Sequence, residues 1–100
     1  MSWLVVLRPV RDEMPFEPTE EEARIVGEHY EYLKRLRAEG RLVLAGPSAL
    51  PGDTFGLGIF DQKDRADVEA IVAADPAVKT YVFQAQVRPF GLHWSQAPRD

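Results

Sequence analysis

The spacing of apolar residues changes several times along the chain, and each change predicts a new element. Residues 3–7 are apolar at every position, which is typical of a strand buried on both faces. Residues 9–18 contain three prolines and are predicted to form a loop. Thr19 and Glu22 have the spacing of a capping box, which predicts the start of a helix that runs to about Glu39.

Glycine, proline and aspartate separate the elements of the second half. Short or alternating apolar runs there predict strands, and an i, i+3, i+4 pattern predicts one more helix. The predicted elements are a strand over 42–45 ended by Gly46 and Pro47, a turn over 48–53, a strand over 55–60, a helix over 65–74 capped by Asp64, and a strand over 81–88 ended by Pro89.

The order of these elements is β-α-β-β-α-β, which is the ferredoxin-like arrangement of the α+β class. Right-handed crossovers place both helices on one face of a four-stranded antiparallel sheet. The other face then has no covering helix, although the first strand is apolar on both sides. A small domain covers such a face with a second subunit, so we expect a homodimer packed sheet against sheet.

Two titratable residues lie where the helices should be apolar. A helix turns 100° per residue, and at this spacing five apolar residues point within roughly 60° of one direction and form a stripe. They are Ile25, Val26, Tyr32, Leu33 and Leu36. His29 lies at the centre of that stripe, and Asp75 lies on the inner face of the second helix, in line with Val68. A carboxylate before Pro76 at a helix C-terminus is disfavoured by the helix dipole. It therefore needs a hydrogen-bonding or cationic partner, which His29 could supply.

Composition limits the classes of function. With 100 residues, 45% of them hydrophobic, the chain is expected to form one domain over 1–100. A net charge of −4 and the lack of a basic cluster argue against a nucleic-acid partner. The absence of cysteine and the wide spacing of the two histidines predict no metal site. The apolar N-terminal run is too short for a signal peptide or a membrane span, so we expect a cytoplasmic protein without membrane contact.

The residues alone leave the role of the polar pair open. A histidine on an apolar stripe can be a core residue bonded to backbone or water, and aspartate before proline is a common turn device. The functional interpretation gains weight because both exceptions fall on inner faces that meet in one layer. Gly56 and Gly58 leave one face of the third strand without side chains. This predicts either an open pocket floor or a close approach of another group to the backbone.

Several segments in register resemble the YCII-related (YciI-like) family. They are His29-Tyr30-Glu31-Tyr32-Leu33-Lys34-Arg35-Leu36, Gly40-Arg41-Leu42, Ala45-Gly46-Pro47, Asp75-Pro76-Ala77-Val78-Lys79 and Val87-Arg88-Pro89-Phe90. The resemblance covers roughly residues 3–90 and leaves a C-terminal tail over 91–100. It implies a dimeric α+β barrel and a site formed by a histidine and an aspartate, which map onto His29 and Asp75. Relatives in that family include dehydrochlorinase-type enzymes that act on hydroxylated aromatics.

The sequence departs from the family pattern after the Asp-Pro pair. The family often has an aromatic residue and then a glycine there, where this chain has Ala77 and Tyr81. We expect the tyrosine to narrow a pocket beside Asp75. The residues predicted to bind a substrate are Gly46, Pro47, Gly56, Gly58 and Tyr81.

Two hypotheses of different classes follow. In the first, Asp75 orients His29, which transfers a proton on a small aromatic or unsaturated acid in an isomerisation, an elimination or a related lyase step. Free histidine titrates near ~6.5 and serves as acid or base around neutrality. In the second, a homodimer binds a small molecule or serves as an assembly module, and the pair is structural. Neither hypothesis needs a cofactor or a metal.

Overall fold

The computed structural model describes residues 1–91 and shows a four-stranded antiparallel sheet with helices on one face. The elements of this part are β1 Ser2–Pro9, α1 Glu20–Ala38, β2 Leu42–Ser48, β3 Phe55–Asp61, α2 Arg65–Ala73, α3 Pro76–Lys79 and β4 Phe83–Phe90. The strand order is β2-β3-β1-β4, and all three pairs are antiparallel. The predicted ferredoxin-like α+β fold is confirmed, and of the tail predicted over 91–100, residues 92–100 lie outside the described residues.

The start of α1 follows the predicted capping box. The Thr19 hydroxyl accepts a hydrogen bond from the Glu22 amide at 3.1 Å, and the Glu22 carboxylate accepts one from the Thr19 amide at 2.8 Å. Arg11 adds two hydrogen bonds to the same carboxylate, of 2.7 and 3.1 Å. These bonds lower the pKa of Glu22 to about 2. They fasten the loop before α1 to the first turn of the helix, beside the site described below.

Two strands continue past the prolines that were predicted to end them. β2 includes Pro47 and β4 includes Pro89. Both are edge strands, because β2 pairs only with β3 and β4 pairs only with β1. A proline is tolerated on an edge strand, where its missing N–H faces the open side. The predicted strand ends were wrong for this reason.

The register of the sheet separates its two faces. Trp3 pairs with Phe60, and Val5 pairs with Gly58 and Val87, on the side covered by the helices. The main core on that side consists of buried side chains from β1, α1, β2, β3 and α2, namely Trp3, Val5, Leu36, Leu42, Phe60, Val68, Ile71 and Val72. A second cluster joins the loop before α1 to the segment after α2 and contains Met14, Ile25, Ala77 and Val82.

The segment between α2 and β4 differs most from its prediction. The helix predicted over 65–74 ends at Ala73, and the short helix α3 follows at once. Asp64 occupies the N-cap position of α2, but its side chain makes no capping hydrogen bond. Tyr81 was predicted to begin the last strand. It instead adopts a left-handed backbone with φ of +61° before the strand starts at Phe83.

Tyr81 offers a direct test of this backbone geometry. A side chain with a Cβ costs about 1 kcal/mol or more in the left-handed region, whereas glycine has no such penalty. Glycine also makes the unfolded chain more flexible, which offsets part of this gain. We therefore expect Tyr81→Gly to raise the free energy of unfolding by a net amount of about 0.5–1 kcal/mol. Tyr81→Ala is the matched control, because it removes the exposed ring and keeps the Cβ. Urea unfolding of the three proteins measures the difference, and Tyr81→Gly no more stable than Tyr81→Ala would contradict the assignment.

Candidate functional site

A cavity of about 620 Å³ lies between α1 and the helix-covered face of the sheet. We call it the α1 cavity. Its walls come from all four strands, α1, the loops before α1 and after β2, and the residues around the end of α2. Most of the lining side chains are apolar, including Val5, Leu7, Leu33, Leu42 and Phe83. The cavity therefore suits a ligand with a largely apolar body.

His29 and Asp75 meet on the wall of the α1 cavity. His29 Nδ1 and Asp75 Oδ2 are 2.6 Å apart, within hydrogen-bond distance. Only 5% of His29 and 3% of Asp75 is exposed, so water screens this contact little. The contact predicted between the two inner faces is confirmed.

Asp75 is held by a second hydrogen bond on its other oxygen. Asp75 Oδ1 accepts the amide of Ala77 at 2.9 Å, which makes Asp75 the N-cap of α3, with Pro76 in the first helical position. The sequence had placed this carboxylate at an unfavourable helix C-terminus. The structure corrects that, because the chain ends α2 before Asp75 and gives the carboxylate a favourable capping position. Both carboxylate oxygens are thereby fixed in direction.

The bond to Asp75 determines which nitrogen of His29 is available. When Asp75 is the acceptor of this bond, the proton lies on Nδ1 and a lone pair is left on Nε2. Within residues 1–91, Nε2 has no hydrogen-bond partner, and no fully buried side-chain nitrogen or oxygen is left unpaired. His29 itself lines the α1 cavity.

Neighbouring aromatic rings hold the imidazole in place. The ring of Phe83 packs edge-on against it with centroids 5.3 Å apart, and the ring of Tyr30 lies at 5.6 Å. Rings at these distances and tilts attract one another in addition to the area that they bury. A histidine held on one nitrogen and free on the other can take a proton from a bound molecule and return it.

Four of the five residues predicted to bind a substrate line the α1 cavity, namely Gly46, Pro47, Gly56 and Gly58. A Cβ at Gly58 would come within 3.1 Å of the Phe60 ring. Glycine at position 58 therefore leaves space beside the Phe60 ring, as the lack of side chains on this face of β3 predicted.

Tyr81 lies outside the α1 cavity. It is 79% exposed and borders a smaller depression with Thr19 and Val82. The expectation that Tyr81 narrows a pocket beside Asp75 is therefore corrected. Its positive φ is a backbone conformation that glycine adopts without strain.

Sequence patterns missed several residues of the cavity wall. Met14 and Pro18 reach it from the irregular loop before α1, and Thr54 reaches it from the loop before β3. Loops have no hydrophobic period, so no pattern could identify these positions. Tyr32 also lines the cavity, and its place on the inner stripe of α1 was the one available signal.

Two further features of the described part concern cofactors and membranes. Within residues 1–91, no three histidine, cysteine, aspartate or glutamate side chains are grouped so that they could hold a metal ion. No helix in that part of the chain has the length and apolar character needed to cross a membrane.

The double role of Asp75 predicts a large loss of stability when its carboxylate is removed. Asp75→Ala loses the cap of α3 and leaves His29 Nδ1 buried without its partner, so we expect about 2–4 kcal/mol of destabilisation. Asp75→Asn keeps a capping oxygen and is expected to lose less. Asp64→Ala is the matched control, since that N-cap aspartate makes no capping bond, and its effect should stay within about 0.5 kcal/mol. Equal effects of Asp75→Ala and Asp64→Ala in urea unfolding would contradict the described contacts.

Comparisons with known proteins agree with this fold. The structure matches 11 solved chains, among them 5-chloro-2-hydroxyhydroquinone dehydrochlorinase from Burkholderia phenoliruptrix AC1100, solved in complex with 2,5-dihydroxybenzoquinone. That match has a TM-score of 0.70 and 19% sequence identity, and covers 91% of this chain and 94% of the dehydrochlorinase chain. A search of curated proteins finds no match. The model of the YCII-related domain matches residues 1–91, and the chain therefore belongs to the YCII-related family.

Proposed function

We propose that this protein is an enzyme that transfers a proton on a small ring compound bound in the α1 cavity. His29 is the acid and base, and Asp75 is the residue that orients it. The observation that carries the proposal is the arrangement of one buried imidazole, with Nδ1 at 2.6 Å from Asp75 and the ring on the wall of the α1 cavity. A buried, oriented imidazole beside a cavity is the usual form of a general acid–base site.

The proposed chemistry needs only the two side chains and a substrate with an acidic hydrogen. Nε2 removes a proton from a ring hydroxyl or from a carbon beside a ring carbonyl, and the electron pair moves into the ring. If the proton returns at another carbon, the reaction is an isomerisation. If the proton returns at the ring carbon that bears a halide, a second ring hydroxyl then loses its proton, its electron pair expels the halide, and the overall reaction is an elimination of HX. Asp75 stabilises the imidazolium that forms in either case.

The walls of the α1 cavity favour a hydroxylated or ketonic ring over a carboxylic acid. A carboxylate placed against Val5, Leu7 and Phe83 would lose its hydration without gaining a cation, which is costly. A phenol or quinone needs only one or two hydrogen bonds at its polar edge. The dehydrochlorinase that shares this fold is named for a chlorinated hydroxyhydroquinone, and this supports a substrate of the same kind here.

Turnover of 5-chloro-2-hydroxyhydroquinone, measured as released chloride, tests the proposal. We expect His29→Gln to lower kcat/KM at least about 100-fold, because general acid–base catalysis contributes about 10²–10⁴-fold. Asp75→Asn is expected to lose less, since it weakens orientation and charge support but keeps the imidazole. Glu31→Gln, an exposed change two residues from His29 on α1, is the control and should retain full turnover.

The same proteins distinguish the alternative of a binding module. If the wild type binds 2,5-dihydroxybenzoquinone, releases no chloride and binds equally well as His29→Gln, the chain is a binder and the enzymatic proposal fails. If His29→Gln turns over the substrate at the wild-type rate, His29 is not the proton carrier.

We further propose that the protein is a homodimer joined through the sheet face opposite the helices. Leu4 pairs with Ile59 and Val6 pairs with Leu57 on that face. Leu4, Val6 and Leu57 are half-buried, and Leu44, which pairs with Ile59 on the edge strand, is 50% exposed. A second copy would cover this apolar surface, as expected for a sheet with helices on one side only.

Sedimentation equilibrium at micromolar concentration tests the dimer. We expect a species of twice the 11.3 kDa chain mass, with more than about 1,000 Å² buried in total between the subunits. Leu44→Lys should weaken association at least about tenfold, because it places a charge in the apolar interface. Glu31→Lys changes charge on the helix side and should leave association unchanged. A wild-type monomer at these concentrations would contradict the proposal.

A further inference from the structure

The end of α2 leaves the backbone carbonyl of Ile71 without its helical partner. The amide of Asp75 donates to the carbonyl of Val72 at 3.1 Å, and the amide of Ala74 donates to that of Ala70, also at 3.1 Å. The carbonyl of Ile71 would accept the Asp75 amide if the helix continued. Because the chain turns away at Asp75, that carbonyl is available to another donor.

The hydroxyl of Tyr32 fills this position. It donates to the carbonyl of Ile71 at 2.6 Å, across from α1 to the last turn of α2. Tyr32 is half-buried and also lines the α1 cavity. Burial, and next the negative charge of Asp75, raise the pKa of Tyr32 above its usual value. The hydroxyl therefore keeps its proton, and remains a donor, beyond the range in which a free tyrosine does.

Tyr32 and His29 form a pair of bonds to the same turn of the chain. They lie three residues apart on α1, and hence on one face of that helix. Their partners, Ile71 and Asp75, lie on either side of the point where α2 ends. Two directional hydrogen bonds one turn apart on α1 fix both its distance from that turn and its rotation.

We propose that Tyr32 is a positioning residue of the His29–Asp75 pair. Asp75 is anchored to α3 through Ala77, whereas His29 moves with α1. The apolar contacts between α1 and α2 are not directional, and the Tyr32 hydroxyl supplies the direction that they lack. The consequence for turnover rests on the proposed function, but the consequence for the His29–Asp75 bond does not.

Tyr30 provides a matched control beside the same imidazole. Its ring centroid lies 5.6 Å from that of His29, yet Tyr30 is 59% exposed and its hydroxyl makes no hydrogen bond within the described residues. Tyr30→Phe and Tyr32→Phe each remove one hydroxyl near His29. Only Tyr32→Phe removes a bond between α1 and the end of α2.

Proton NMR of the isolated protein tests the inference without any substrate. The Nδ1 proton of His29, shared with Asp75, is expected as a resolved downfield resonance in the wild type and in Tyr30→Phe. In Tyr32→Phe we expect it to be broadened beyond detection or moved clearly upfield. An unchanged resonance in a folded Tyr32→Phe protein overturns the inference.

Two unnatural residues at position 32 make the test independent of how well Tyr32→Phe folds. 4-Aminophenylalanine places an N–H donor at the position of the Tyr32 hydroxyl. 4-Methylphenylalanine fills a similar volume with a group that cannot donate a hydrogen bond. The resonance should persist with the amino group and be lost with the methyl group. Equal spectra for the two would show that ring volume, not the hydrogen bond, matters, and the inference would fail.

Kinetics separate this inference from the proposed function. With a turned-over substrate, Tyr32→Phe should lower kcat about tenfold with little change in KM, and 4-aminophenylalanine should restore it. If no substrate is turned over but the resonance behaves as described, the proposed function fails and the positioning role stands. If kcat and the resonance are both unchanged in Tyr32→Phe, the positioning role fails while the function stands.

Discussion

The site depends on one local constraint, which is that the residue before a proline does not continue a helix. Asp75 precedes Pro76 and has an extended backbone, with φ of −63° and ψ of 127°. This ends α2, allows the Asp75 carboxylate to cap α3, and directs its second oxygen to His29. The same break releases the carbonyl that Tyr32 binds. One backbone restriction thus arranges three side-chain hydrogen bonds.

Much of the fold could be predicted because its elements are long enough to show a period. The inner stripe of α1 identified His29, and that stripe together with Val68 on α2 placed His29 and Asp75 in one layer. The features that were missed are short or depend on distant parts of the chain. A helix of four residues, such as α3, shows no period of its own.

Whether a proline ends a strand depends on the place of that strand in the sheet, which is a property of the whole fold. Pro47 and Pro89 lie within β2 and β4 because both strands are edges. The direction of Tyr81 depended on a backbone angle that its neighbours in sequence do not reveal. The loop residues of the cavity wall were hidden for a similar reason, since only the folded chain brings them to α1.

The proposed chemistry requires that Asp75 holds His29 with Nδ1 protonated and Nε2 unprotonated, on the wall of the α1 cavity. Long-range ¹H–¹⁵N correlation NMR of the histidine rings at a pH where His29 is neutral measures this most directly. We predict that His29 is present as a single tautomer with the proton on Nδ1, coupled to an unprotonated Nε2. A tautomer with the proton on Nε2, or the rapid average of both forms that exposed histidines give, would contradict this role of Asp75.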